Sequence, residues 1–224
     1  MKSFLIVILV VNMGKGLIQI DTRQIDLLSV ELQSFPKQTQ TAMYHALKRS
    51  LDQTKNEIGR IVPKEYVIKQ REVKETFNGG INYPTKDNLN ASLISTGKRL
   101  SFAHFPYKPA DPLLAKMLQI RYGTPLKVKI KKRGGYKTIS PKHGAFIAST
   151  GAKSADKTQY NVFRRLGKER LPIAPMRTLS IPQMITAEGM EEKIQSFALE
   201  KFEQRLEHEM NRAMDRIQDK MKGG

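Results

Sequence analysis

The chain has 224 residues, 39% of them hydrophobic, with no Cys, no Trp and a formal net charge of +18. Without cysteine it has no disulfide, no thiol nucleophile and no cysteine-ligated metal, which fits an intracellular folding environment. The length fits one domain with a real but modest core, and so large a positive excess attracts polyanions, of which nucleic acid is the usual one; a solubilising surface is the competing reading.

Residues 4–11 are an unbroken apolar run, too short to span a bilayer. The run reads as a signal-peptide core with a poor cleavage site, as a buried N-terminal strand, or as residues upstream of a natural start at Met13 rather than Met1. The last reading is favoured, and residues 1–16 are set apart as an apolar N-terminal extension outside the native fold. Asp21 and Thr22 fit a helix N-cap, followed by Ile25, Leu28, Leu32 and Phe35 as the stripe of a short helix. After Pro36 a longer helix carries Met43, Leu47, Leu51, Ile58 and Ile61 on one face and Lys48, Arg49, Asp52, Lys55 and Arg60 on the other. Pro63 is expected to end it, because proline lacks the N–H and crowds the preceding turn. A third short helix is expected over 64–77, completing a helical segment over 17–77.

At Asn78-Gly79-Gly80 the texture changes to short strands separated by turn residues. Strands are expected at 90–95, 126–132, 136–140, 145–149, 160–165 and 170–179. Residues 105–112 hold three prolines and read as an irregular extended loop; 150–158 is polar and small and reads as a mobile loop. This basic β region covers 78–185. Over 186–222, Met190, Ile194, Ala198, Phe202, Leu206, Met210, Ala213 and Ile217 keep a three- and four-residue step, one long C-terminal helix. The fold class is therefore α+β: N-terminal helices, a mixed, mostly antiparallel sheet with basic hairpins, and a long C-terminal helix, in a single domain over 17–222.

The charge is concentrated. Residues 98–170 hold 18 Lys/Arg against three acids, whereas 186–222 hold seven against nine. Within the basic region, LKVKIKKRGGYKTIS (126–140) reads as a hairpin turning at Gly134-Gly135, where positive φ is needed. In that register Ile130 faces Ile139 and Lys132 faces Lys137. Val128, Ile130 and Ile139 share the core side; Lys127, Lys129, Lys131, Arg133, Tyr136 and Thr138 fall on the other, since side chains alternate along a strand. A row of cations suits a phosphate backbone held without base readout. Lysines on an edge strand also deter edge-to-edge aggregation. A second group, Arg164, Arg165, Lys168 and Arg170, surrounds a turn at Leu166-Gly167 and favours the polyanion reading. The candidate contacts are thus Lys127, Lys129, Lys131, Arg133, Lys137, Arg164, Arg165, Lys168 and Arg170. RLSFAHFPYK (99–108) interleaves aromatic and basic residues; base stacking is one reading, and burial of Phe102 and Phe105 the stronger.

No catalytic constellation is expected. His45, His104, His143 and His208 lack the spacing of a helical zinc site, so no metal and no cofactor are implied. GAFIASTGAKS resembles a phosphate loop only superficially: six residues separate Gly144 from Gly151, and Ala152 precedes Lys153-Ser154.

RLGKERLPIAPMRTLSIPQMI (165–185) reads as a last strand, yet it holds Pro172, Pro175 and Pro182. Proline cannot donate a ladder hydrogen bond, so this strand is expected at an edge or leaving the sheet. Pro172, Ile173, Pro175, Met176, Ile181 and Pro182 then form a stiff arm where a neighbouring subunit can dock.

GAFIAST followed by YNVFRRLGKERLPIAPMRTLSIPQMI resembles the signature of the phage and prophage minor tail protein Z family, the tail completion proteins of long-tailed phages. Gly144–Ile147, Arg170–Ile173 and Ser180–Met184 carry the match. FPKQTQTAMYHALKRSLDQT and VPKEYVIKQREVK are similar in the N-terminal half, so the resemblance covers about 17–222; residues 4–11 depart from it. It implies a structural role without catalysis at the head-proximal end of the tail, assisting head–tail joining and placement of the DNA end. Implied partners are the tail terminator, tube or connector rings and the phage DNA end. A homo-oligomeric ring, expected six-fold, follows, located in the virion tail after assembly in the host cytoplasm and involving no membrane. The runner-up is a freestanding basic nucleic-acid-binding protein; a nuclease stands third.

Overall fold

A computed structural model describes residues 16–20, 36–139, 145–154 and 157–222. The helix expected over 21–35, the apolar run 4–11 and His143 lie outside the described residues. The architecture is α+β, with helices towards the N-terminus, three small antiparallel sheets in place of one mixed sheet, and a long C-terminal helix. The chain divides into two compact units, where the sequence pattern suggests a single domain. Unit 1 comprises Met1–Ile61, Gln70–Gly97 and Pro182–Gly224; unit 2 comprises Val62–Lys69 and Lys98–Ile181.

Unit 1 is built on two long helices. Helix α1 (Pro36–Glu65) starts at a proline, whose missing N–H would be unsatisfied in the first turn anyway. It buries Ala42, Met43, Ala46, Leu47, Leu51 and Ile58 along one stripe. Helix α5 (Met190–Lys222) buries Met190, Ile194, Ala198, Phe202 and Leu206 at steps of four. Arg49 meets Glu209 at 2.7 Å and Arg205 bonds Gln53 at 3.4 Å, so α1 and α5 run antiparallel. Glu209 is only 6% exposed, and Arg49 is its cation.

Pro63 does not end α1. It stands inside the last turn, and Tyr66 N–H still donates to the Val62 carbonyl at 2.9 Å. A proline this close to the C-terminus removes one ladder bond, to the carbonyl four residues back, and the helix runs on to Glu65. Only Gln70–Glu75 (α2) of the expected third helix forms. The helical segment expected from residue 17 opens instead with a strand, β1 (Gly16–Ile20).

Strand β1 pairs with β3 (Ala91–Ser95), which also pairs with the two-residue β2 (Ile81–Asn82). The alternation along β3 is strict: Ala91, Leu93 and Ser95 are buried, Ser92 and Ile94 half-buried. Buried Ser95 is satisfied by its hydroxyl donating to Thr76 Oγ1 at 2.7 Å. Gly80 makes the approach to β3 feasible. A Cβ there would lie 2.1 Å from the Ile94 carbonyl oxygen, while Ile94 N–H donates to Gly80 O at 2.7 Å.

Among its described residues unit 2 holds two three-stranded sheets, one complete α-helix and a short 3-10 helix (Phe102–His104). Sheet one orders β4 (Tyr107–Lys108), β5 (Lys127–Val128) and β6 (Lys137–Thr138). Sheet two orders β7 (Ala145–Ser154), β8 (Lys157–Arg165) and β9 (Ile173–Pro175). The segment 150–158, expected as a loop, mostly continues the β7–β8 ribbon past an irregularity between Ser149 and Lys153. Its hydroxyls serve the backbone there: Ser149 Oγ accepts from Gly151 N–H and Thr150 Oγ1 donates to the Gln159 carbonyl. Ser149, Thr150, Gly151, Ala152 and Gln159 are exposed, so polar and small residues carry the ribbon past its buried part. One core cluster of the unit is Ala115, Leu126, Ile147 and Val162, with Phe102, Tyr107, Ile139, Ala145, Tyr160 and Met176 packed against it.

Helix α3 (Pro112–Tyr122) appears where no element was expected. Asp111 caps it, accepting from Leu114 N–H at 2.7 Å, with Pro112 in the first turn. Gly123 ends it at φ +62°, its N–H bonding the Gln119 carbonyl. The dense prolines of 105–112 masked a helix start whose cap is Asp111 and whose first residue is Pro112. The short α4 (Ile181–Ile185) closes the segment before α5.

Replacing Gly80 by Ala should lower unfolding stability by about 1–3 kcal/mol, because a backbone carbonyl must move. At Gly79, with φ +75° and open space, Ala should cost only about 1 kcal/mol. Urea titration of both variants checks the order.

Candidate nucleic-acid interface

Unit 2 holds 21 of the 39 Lys/Arg and four of the 21 acids, a formal +17; unit 1 is left with +1. The charge pattern in sequence therefore follows a division of the fold.

The basic hairpin forms with a different register. Val128 faces Lys137 and Lys127 faces Thr138, with Ile139 N–H donating to Leu126 O at 2.8 Å. Gly134 (φ +92°) and Gly135 (φ +69°) do take the positive φ expected of them. Beyond Val128, however, the strand turns to other partners. Lys129 N–H bonds Pro106 O at 2.9 Å, Val67 N–H bonds Ile130 O at 2.8 Å and Lys132 N–H bonds Glu65 O at 2.8 Å. The chain leaving α1 thus takes the ladder positions the tight hairpin would have used, and Lys131 forms a bridge with Tyr66. The register differs from the expected one by four positions, and alternation holds only over Leu126, Lys127 and Val128; Lys131, Lys132 and Arg133 are all exposed, as are the neighbours Lys137 and Thr138. Val128 is buried, Ile130 and Ile139 are half-buried, and Lys127, Lys131, Arg133 and Lys137 are exposed, with Lys129 intermediate.

Aromatic rings support two of the nearby cations. Lys131 Nζ stands 5.6 Å from the ring centre of Tyr66, and Lys108 Nζ 4.6 Å from that of Tyr136. The neighbouring aromatics of 99–108 belong to the core: Phe105 is buried and Phe102 and Tyr107 pack on the cluster. They favour the burial reading over base stacking.

The second basic group begins on β8 of sheet two with Arg164 and Arg165 and continues into the loop that follows. Arg164, Lys168 and Arg170 are exposed. Arg165 is half-buried; its guanidinium covers Phe146 at 5.2 Å and donates to the Arg170 carbonyl at 2.7 Å, pinning the 166–171 loop. Phe146 and Phe163 face each other across β7 and β8 with centroids 6.1 Å apart. Sequence reasoning missed this aromatic pair under a cation, since only the strand register brings the two rings together.

The proline arm is an edge, as its chemistry demands: β9 is an outer strand bonded to β8. Only three of the residues 170–179 are strand. After Met176, whose N–H reaches Val162 O, the arm leaves the sheet; Thr178 N–H bonds Leu100 O and Leu100 N–H bonds Leu179 O. Pro172 and Pro175 are exposed, Ile173 and Met176 half-buried, Ile181 and Pro182 buried. Only the first half of the arm therefore offers surface.

Among the described residues no group of three or more His, Asp or Glu side chains is arranged to hold a metal ion, and no helix is long and apolar enough to cross a membrane. A groove in unit 1 is lined by Lys37, Thr41 and His45 of α1 and by Arg212, Arg216 and Asp219 of α5.

Burial, with the Glu65 charge adding to it, holds the Tyr66 hydroxyl above its ordinary pKa of 10.0. Tyr107 is raised from the same value by burial, then by Asp111 and Tyr160. Both hydroxyls ionise less readily folded than unfolded. Their contribution to stability is whole below pH 10 and is lost as pH rises through the folded values. Urea midpoints followed over about pH 8–11 should fall above pH 10, less steeply in Tyr66→Phe and Tyr107→Phe than in the parent.

Comparison of the chain with protein-family models, curated proteins and solved structures returns no match in any of the three.

Proposed function

We propose that this protein is a structural minor tail protein of a long-tailed phage or prophage. It acts in tail completion at the head-proximal end of the tail, assisting head–tail joining and placement of the DNA end. The observation that carries the reading is the separation of charge, +17 in one unit and +1 in the other. A DNA end held in a protein ring presents phosphates in no chosen sequence, so the contacts that suit it are outward cations on paired strands. Lys127 and Lys137 have that character in sheet one, with Lys131 and Arg133 exposed in the tip between them; Arg164 has it in sheet two, with Lys168 and Arg170 exposed in the loop that follows. The order of segments resembling tail completion proteins adds to the case. In this reading the chain works without catalysis or cofactor, as a homo-oligomeric ring beside other tail rings. A freestanding basic nucleic-acid-binding protein is the second reading, because the same charge separation serves it.

Peptide mass spectrometry on density-purified particles distinguishes the two. A few copies per particle are expected; absence from particles made in cells that express the protein would sink the tail reading. For the DNA contact, Lys127→Glu, Lys131→Glu, Arg133→Glu and Lys137→Glu combined should leave circular dichroism unchanged. The slope of log affinity for duplex DNA against log salt should shrink by about 0.9 per lost phosphate contact, roughly 3–4 in all. An unchanged slope removes this sheet from the DNA contact.

A further inference from the structure

We propose that the outward arc of α3, with Leu113, Met117 and Ile120 flanked by Lys116 and Arg121, docks into an apolar groove of a partner protein whose rims carry carboxylates. The three apolar residues stand at i, i+4 and i+7, one line along a helix. Their exposures are 65%, 50% and 77%, so the described residues leave the line uncovered. At 3.6 residues per turn, Lys116 and Arg121 fall about 70° to either side of that line. The arc is therefore an apolar ridge with a cation on each flank, the shape of a helix laid in a groove.

The ridge is presented rigidly. On the opposite face Ala115 is buried in the core cluster. Gln119 grips the edge of β7, donating to the Ala145 carbonyl at 3.0 Å and accepting from Ile147 N–H at 3.3 Å. Both ends are capped. The helix cannot roll to hide the ridge without giving up these contacts.

Charge selects the occupant. The acid nearest in sequence, Asp111, is engaged as the N-cap, and the unit carries +17. A second copy of α3 would set Lys116 and Arg121 against their own kind. An anionic bilayer meets the charge but spreads beyond a ridge three side chains long, whereas carboxylates at the two rims of a groove meet both cations. This inference stands independently of the tail reading.

The test uses the full-length protein and two synthetic helical peptides, one with a Leu stripe flanked by Glu, the other with Lys replacing Glu. The Glu-flanked peptide should bind, and Met117→Ser with Ile120→Ser should weaken it at least tenfold. The pair Lys116→Glu with Arg121→Glu should move preference to the Lys-flanked peptide. These side chains are exposed, so circular dichroism should match the parent. Undiminished binding in the serine variant would reduce the effect to general attraction of acid by a basic unit and overturn the proposal. So would serine-sensitive self-association by sedimentation, or serine-sensitive binding to phosphatidylserine vesicles, without peptide binding.

Discussion

Like-charge repulsion is the constraint under which unit 2 is built. It confines +17 to a unit whose described core includes Tyr66, Phe105, Leu126, Val128, Ile147 and Val162. Salt screens charges beyond about 8 Å under physiological conditions, so repulsion is felt chiefly between near neighbours. The fold responds locally. Strand alternation sends Lys127 out while Val128 goes in, and the rings of Tyr66 and Tyr136 lie beneath Lys131 and Lys108. Arg165 is drawn back over Phe146 and onto a carbonyl. The backbone is also densely bonded: residues 65–67, 100–102 and 106 all supply partners to segments that look unpaired in sequence.

What was legible in the sequence was what depends on near neighbours. The stripes of α1 and α5, the alternation of β3 and the positive φ of Gly134 and Gly135 follow from residue type and spacing. What was not legible depends on distant partners or on a misleading local signal. Pro63 stopped a predicted helix that continues past it, because one lost bond near a terminus is tolerable. The prolines around α3 read as loop, yet one occupies its first turn. The ribbon of 145–165 is longer than its apolar residues, since hydroxyls extend it. Of the candidate site, the outward lysines of the hairpin were legible and the aromatic pair Phe146–Phe163 was not.

The prolines at 172 and 175 have a mechanical explanation. Pro175 ends β9, an outer strand where one side of the backbone needs no partner, and Pro172 lies just before it, where its carbonyl accepts from Leu166 N–H. On the opposite edge of the same sheet, Gln119 lends its amide to Ala145 and Ile147, standing in for a short piece of strand. Near its core the sheet is thus closed to strand addition on one side by a missing donor and on the other by a side chain.

The four-position difference in the hairpin register bears on how this segment can change over time. The paired ends, Lys127↔Thr138 and Val128↔Lys137, are held by the sheet, and Lys129, Ile130 and Lys132 are bonded to residues 106, 67 and 65. Residues 133–136 lie beyond these bonds, so the tip can gain or lose residues there without disturbing a strand pair or turning a lysine inward. Length variation among descendants of this chain should accordingly gather at those four positions, where the pleat imposes no parity.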